Sequence, residues 1–175
     1  MVVAALVTLV VAPGAAHAAP TGVRLVDHDG RCLDVTAGGK VALAACVPLR
    51  GQQLWTFRTF DDYRELIVHD ATGRCLRSTG YPAEGTQPYL DTCAVPGSSP
   101  AAYTVWETDP VSGGGATYLI AGGRYSMVSV QGALQMRYKN REPIAAWTPT
   151  AAPAPPKPQE GGSCGFRACP PKEDS

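Results

Sequence analysis

Gly30-Arg31-Cys32-Leu33-Asp34-Val35, then Val41-Ala42-Leu43-Ala44-Ala45-Cys46, then Gln52-Gln53-Leu54-Trp55-Thr56: this stretch decides the fold, because it recurs. A second copy reads Gly73-Arg74-Cys75-Leu76, then PYLDTC ending at Cys93, then Tyr103-Thr104-Val105-Trp106. A third reads Gly123-Arg124-Tyr125, then ALQMRY ending at Tyr138, then Ile144-Ala145-Ala146-Trp147. From the Gly-Arg pair to the tryptophan the spacings are 25, 33 and 24 residues. The middle copy is longer by a turn-forming insert, VPGSSPAA, at 95–102. Repeats of this size are single supersecondary units that bury their apolar faces only against one another. The three tryptophans of the chain are therefore one residue in three copies.

Inside each copy apolar residues alternate, as in Val41, Leu43, Ala45 and Leu134, Met136, Tyr138. Period two over short runs bounded by Gly and Pro predicts half-buried strands. Three copies of about four strands give roughly twelve, and a closed barrel with a hairpin cap hides their edges. Helix is disfavoured: Gly (19) and Pro (16) make up one residue in five of the 175. The expected class is all-β, in one domain, which suits a chain of ~100–200 residues.

The first residues look like an address rather than structure. Val2 to Ala12 is an uncharged apolar run, followed by Pro13-Gly14 and the small-residue site Ala16-His17-Ala18. That is a secretory signal pattern, too short for a membrane span, and cleavage is expected after Ala18. No Lys or Arg precedes the run, which leaves an upstream start open. An exported chain with an even number of cysteines is expected to form disulfides. Cys32 and Cys46 lie 14 residues apart, Cys75 and Cys93 18, Cys164 and Cys169 five, so sequential pairing is the simplest scheme. No Cys-x-x-Cys occurs, and His28 and His69 lie outside ligand spacing, so no metal or other cofactor is expected. Thr150 to Pro158 (TAAPAPPKP) reads as an Ala/Pro linker, and the rest of the tail as flexible around a small Cys164–Cys169 loop. The expected organisation is a signal peptide at 1–18, a repeat domain at 19–149 and a linker with tail at 150–175.

Cys-Leu-Asp-Val, a later Cys and Gln53-Leu54-Trp55 together resemble the ricin-type lectin repeat, whose fold is the β-trefoil. The likeness runs over about 22–150 and fades from the first copy to the third. It implies disulfides Cys32–Cys46 and Cys75–Cys93, in agreement with the spacing. It also implies a sugar site in each copy. The carboxylate is the Asp of Cys-Leu-Asp-Val. A stacking ring lies two residues before the second Cys and a Gln four before it. An amide lies just before the Gln of Gln-x-Trp.

Copy one keeps Asp34 and has Gln52 as the late amide, but Ala44 replaces the ring and Ala42 the Gln. Copy two has Arg77 for the Asp, Asp91 for the ring and Tyr89 for the Gln. Copy three, aligned on its Leu134/Met136/Tyr138 face, has Gln135 at the Gln position and Arg137 at the ring position. No copy holds the full set. Asp34 and Gln53 can equally serve as structural partners of a turn and a strand.

Zero net charge, from 15 basic and 15 acidic residues, argues against nucleic-acid binding. Asp27-His28-Asp29 and His69-Asp70 precede equivalent Gly-Arg turns and read as turn chemistry rather than acid–base pairs. No nucleophile or carboxylate pair stands out, so catalysis is not expected. The run Arg137-Tyr138-Lys139-Asn140-Arg141 is the one basic cluster, fit for an acidic glycan, an acidic partner or plain solvation. Three readings remain: a secreted carbohydrate-binding module with degenerate sites, a module that binds a secreted protein partner, and a trefoil protease inhibitor. The inhibitor would present Val47-Pro48-Leu49-Arg50-Gly51 or the 95–102 insert.

Overall fold

In the computed structural model, which describes residues 22–78, 84–95, 105–112, 115–138 and 142–152, the alternating runs form twelve strands. They are β1 (Val23–Val26), β2 (Arg31–Val35), β3 (Val41–Ala45), β4 (Trp55–Thr59), β5 (Glu65–His69) and β6 (Cys75–Arg77). Then follow β7 (Tyr89–Asp91), β8 (Trp106–Pro110), β9 (Thr117–Ala121), β10 (Tyr125–Val130), β11 (Ala133–Tyr138) and β12 (Ala146–Ala151). Every pairing is antiparallel, and the pairs β1–β4, β4–β5, β5–β8, β8–β9, β9–β12 and β12–β1 close a six-stranded ring. Hairpins β2–β3, β6–β7 and β10–β11 branch from it. Three units of four strands around a closed barrel make a β-trefoil.

Threefold equivalence is written in the register. Trp55 pairs with Val23, Trp106 with Glu65 and Trp147 with Thr117, each where one barrel strand meets the next. All three rings are fully buried in one core with Leu25, Leu33, Ile67, Leu76, Leu119 and Met127. Each indole N–H donates to a main-chain carbonyl: Trp55 to Leu33 at 3.1 Å, Trp106 to Leu76 at 2.8 Å, Trp147 to Met127 at 2.8 Å. A buried indole must satisfy that N–H, so each tryptophan ties a barrel strand to its own hairpin.

The same register corrects the third copy by one residue. Val26 faces Cys32, Val68 faces Cys75, and the matching pair is Ile120–Ser126. Ser126, not Tyr125, therefore stands at the first cysteine position. The turn itself is as long as in copy one, since Val26 to Cys32 and Ile120 to Ser126 both span six residues. The Gly-Arg pair sits one place earlier in it, where Gly122 (φ 58°) and Gly123 (φ 65°) both take the left-handed region. Glycine enters that region without a Cβ penalty, so the glycine's place in the turn shifts while the strand keeps its face. The β10–β11 turn, Gln131 (φ 49°) and Gly132 (φ 84°), is a two-residue hairpin loop with both φ values positive, which matches the strands' twist.

Disulfides join Cys32 to Cys46 and Cys75 to Cys93. Cys164, Cys169 and the cleavage site after Ala18 lie outside the described residues, as do 153–175. β12 runs two residues past the expected domain end. Thr150 pairs with Arg24 and Ala151 with Val23, so these two belong to the barrel rather than to the linker.

Candidate functional site

The register of the hairpins gathers the expected sugar-site residues by position. Asp34 faces Ala42 across β2–β3, Arg77 faces Tyr89 across β6–β7, and Val128 faces Gln135 across β10–β11. Alternate residues of a strand share a face, so Ala44, Asp91 and Arg137 lie on the same faces as these pairs. The third-copy equivalent of Asp34 is thus Val128, fully buried and without an acceptor atom.

In copy one Asp34 is sequestered. Its side chain is 3% exposed, and Oδ2 accepts from Gln53 Nε2 at 2.7 Å while Arg50 Nε lies 3.3 Å away. Gln53 also donates Nε2 to the Ala45 carbonyl (2.8 Å) and accepts from the Val47 amide at Oε1 (2.8 Å). One buried amide therefore binds the carboxylate, the end of β3 and the loop beyond it. Asp34 Oδ1 is buried and has no partner. An unsatisfied carboxylate oxygen is costly, and such atoms mark functional or strained places. Gln52, by contrast, is exposed.

Copy two is filled from within. Arg77 Nη1 is paired with Asp91 Oδ2 on the neighbouring strand, and its guanidinium lies 5.9 Å from the Tyr89 ring centre. The Thr92 amide and then Arg77 hold the Asp91 carboxyl below the usual carboxylate range. Copy three presents half-buried Gln135 and Arg137 beside Val128, with buried Ala145 where copy one has Gln53. Lys139 and Arg141 of the basic run lie outside the described residues.

The remaining candidates serve structure. Asp27 Oδ1 accepts from the Asp29 and Arg31 amides, and Oδ2 from Arg31 Nε and Ser129 Oγ. Asp27, His28 and Asp29 approach within 4.8 Å, but the Arg31 guanidinium already neutralises both carboxylates. His69 is buried against Trp55, ring centres 5.0 Å apart, with Nδ1 2.9 Å from Thr72 Oγ1. Burial pushes the His69 imidazole below its ordinary pKa, against smaller raising effects from the Gln52 carbonyl and Asp70.

The loop at 47–51 is a closed turn: the Arg50 amide donates to the Val47 carbonyl and the Gln53 amide to the Arg50 carbonyl. Elsewhere a groove of about 670 Å³ is lined by Asp61, Tyr63, Arg64, Glu107, Asp109 and neighbours, with Tyr63 84% exposed. Among the described residues no helix is long and apolar enough to cross a membrane.

A family model described as ricin-type beta-trefoil lectin domain matches residues 19–109, just over half of the chain. No curated protein sequence matches. Among solved structures, a designed threefold-symmetric protein, ThreeFoil, superposes with TM-score 0.63 at 17% identity, covering 73% of this chain and 96% of that one. A Macrolepiota procera ricin B-like lectin in complex with lactose gives 0.63 at 13%, covering 77% and 97%. SeviL bound to asialo-GM1 saccharide gives 0.58 at 14%, covering 75% and 98%. At such identities the likeness speaks for the fold alone.

Proposed function

Because the chain belongs to the ricin-type β-trefoil lectin domain family, we propose that it is a secreted, non-catalytic carbohydrate-binding module whose one surviving sugar site is in copy one. The carrying observation is Asp34. It is the family carboxylate, it is anchored by Gln53, and its Oδ1 is left without a partner. Exposed Gln52 stands ready to orient a hydroxyl. Copies two and three read as degenerate: Arg77–Asp91 occupies the first, and Val128 with Ala145 removes the acceptors from the second. Lactose in the Macrolepiota procera lectin and asialo-GM1 on SeviL give the reading its ligand class. With Ala44 in place of a ring, affinity is weak, near millimolar, about −4 kcal/mol.

The test is an amide NMR titration with lactose. Shifts should map to Asp34, Ala44 and Gln52, vanish in Asp34→Ala and grow tighter in Ala44→Trp, which restores a stacking face. A second reading, a module for a secreted protein partner, is favoured by the acidic groove beside exposed Tyr63. It takes over if no saccharide moves any copy-one resonance.

A further inference from the structure

Arg50 is not part of the sugar set inferred for this fold, yet it closes that set. Its Nε lies 3.3 Å from Asp34 Oδ2 while its side chain stays 41% exposed against 3% for Asp34. Among the described residues its terminal nitrogens have no ion-pair or hydrogen-bond partner. The loop holds it there firmly. Cys46 is tied to Cys32, the Val47 amide to Gln53, the Arg50 amide to the Val47 carbonyl, and Leu49 is held at φ 58°. A leucine persists in that strained region only where its surroundings fix it, and functional sites are where such strain collects.

A neutral sugar drawn to the unpartnered Oδ1 gives the terminal nitrogens of Arg50 no anion, and one that takes Oδ2 parts Arg50 from the anion it has. Parting a buried carboxylate from its cation is unfavourable unless each finds a new partner. A ligand with both hydroxyls and an anion supplies the two at once. Its hydroxyls donate to Asp34, and its anion takes the guanidinium fork, which suits carboxylate and oxyanion geometry. Ala44 gives no ring to stack on, so charge must do what stacking does elsewhere.

We therefore propose that the copy-one site selects an acidic sugar, a hydroxylated ring carrying a carboxylate or sulfate, with Arg50 as the specificity-determining residue. The inference rests on the sugar-binding reading above.

The full chain is titrated with galacturonate, galactose 6-sulfate and galactose at low and high salt. At least one anionic sugar should bind roughly tenfold more tightly than galactose at low salt, the usual gain from a charge-assisted bond. The gap should narrow at high salt. Which of the two anions is favoured identifies the group. Arg50→Gln should remove the preference, Arg50→Lys should keep part of it, and Arg58→Gln, an exposed charge-matched control, should keep all of it. Near-equal binding of all three sugars, or a preference that survives Arg50→Gln, overturns the role of Arg50 and leaves the sugar site standing. Binding of none of them, lactose included, overturns both.

Discussion

At the scale of single residues, three indole N–H groups hold the hairpins to the barrel. Replacing any of Trp55, Trp106 or Trp147 with Phe leaves a buried carbonyl unpaired and a void beside it. Each loss should cost about 3 kcal/mol, the sum of a lost buried hydrogen bond and a small cavity. Urea denaturation of the three variants checks this, and a cost near zero at one site would show that geometric equivalence is not energetic equivalence. His69 gives a second residue-scale expectation. Its pKa is lower folded than the ordinary 6.5 of the unfolded chain, so in the window just below 6.5 the unfolded state binds more protons. Stability is then fully present above that value and falls as pH drops through it. Tm measured from pH 8 to 5 should show this decline, and His69→Gln, which does not titrate, should flatten it. Asp61 and Asp91, whose pKa values are also lowered, add a loss of the same sign only in the acid range below 3.8.

At the scale of elements, copies one and two are stapled and copy three is not. Removing the second staple by Cys75→Ala with Cys93→Ala should cost about 3 kcal/mol, the expectation for a loop of this length. Copy three instead sets Tyr125 edge-on to Tyr138, ring centres 5.6 Å apart. Tyr138→Ala, at a half-exposed ring, should cost about 1 kcal/mol. Midpoints of denaturant unfolding compare the two. The same asymmetry explains how far the hairpins were legible. Cysteines mark copies one and two directly, and there Asp34, Arg77 and Asp91 fall where the motif puts them. In copy three the Gly-Arg pair marks the turn, not the strand, and it sits one residue earlier in a turn of the same length, out of frame. The frame is set by the carbonyl that each tryptophan binds, which no motif displays, so Val128 as the counterpart of Asp34 was hidden. Arg50 was hidden differently: it is adjacent to Asp34 only through the loop that Gln53 folds back, and sequence alone presents it as an exposed loop residue. The Arg77–Asp91 pair needed the diagonal of a hairpin to become visible.

At the scale of the molecule, the barrel has no free edge only because its last strand returns to its first. β12 pairs with β1 from Val26–Thr148 to Val23–Ala151, so three of the four paired residues on β12 come at 149–151. Ala/Pro-rich composition makes the chain from Thr150 onward read as a linker, since the alanines there say nothing of the partner strand. Pro149 is tolerated where its missing N–H leaves no ladder bond essential. Closure, not local propensity, orders it. A chain ended at residue 152 keeps every pairing described and should melt within a few degrees of the full chain. A chain ended at 148 leaves β1 paired at Val26 alone on that side, and exposes Leu25 at the rim of the core. Unfolding of a closed barrel is cooperative, so the loss should register in the whole transition and not as fraying. About 3 kcal/mol corresponds to roughly 10 °C for a domain of this size. Calorimetry of the two truncated chains decides it: equal melting temperatures would mean that the β1–β12 seam is dispensable and that the domain ends where the composition changes.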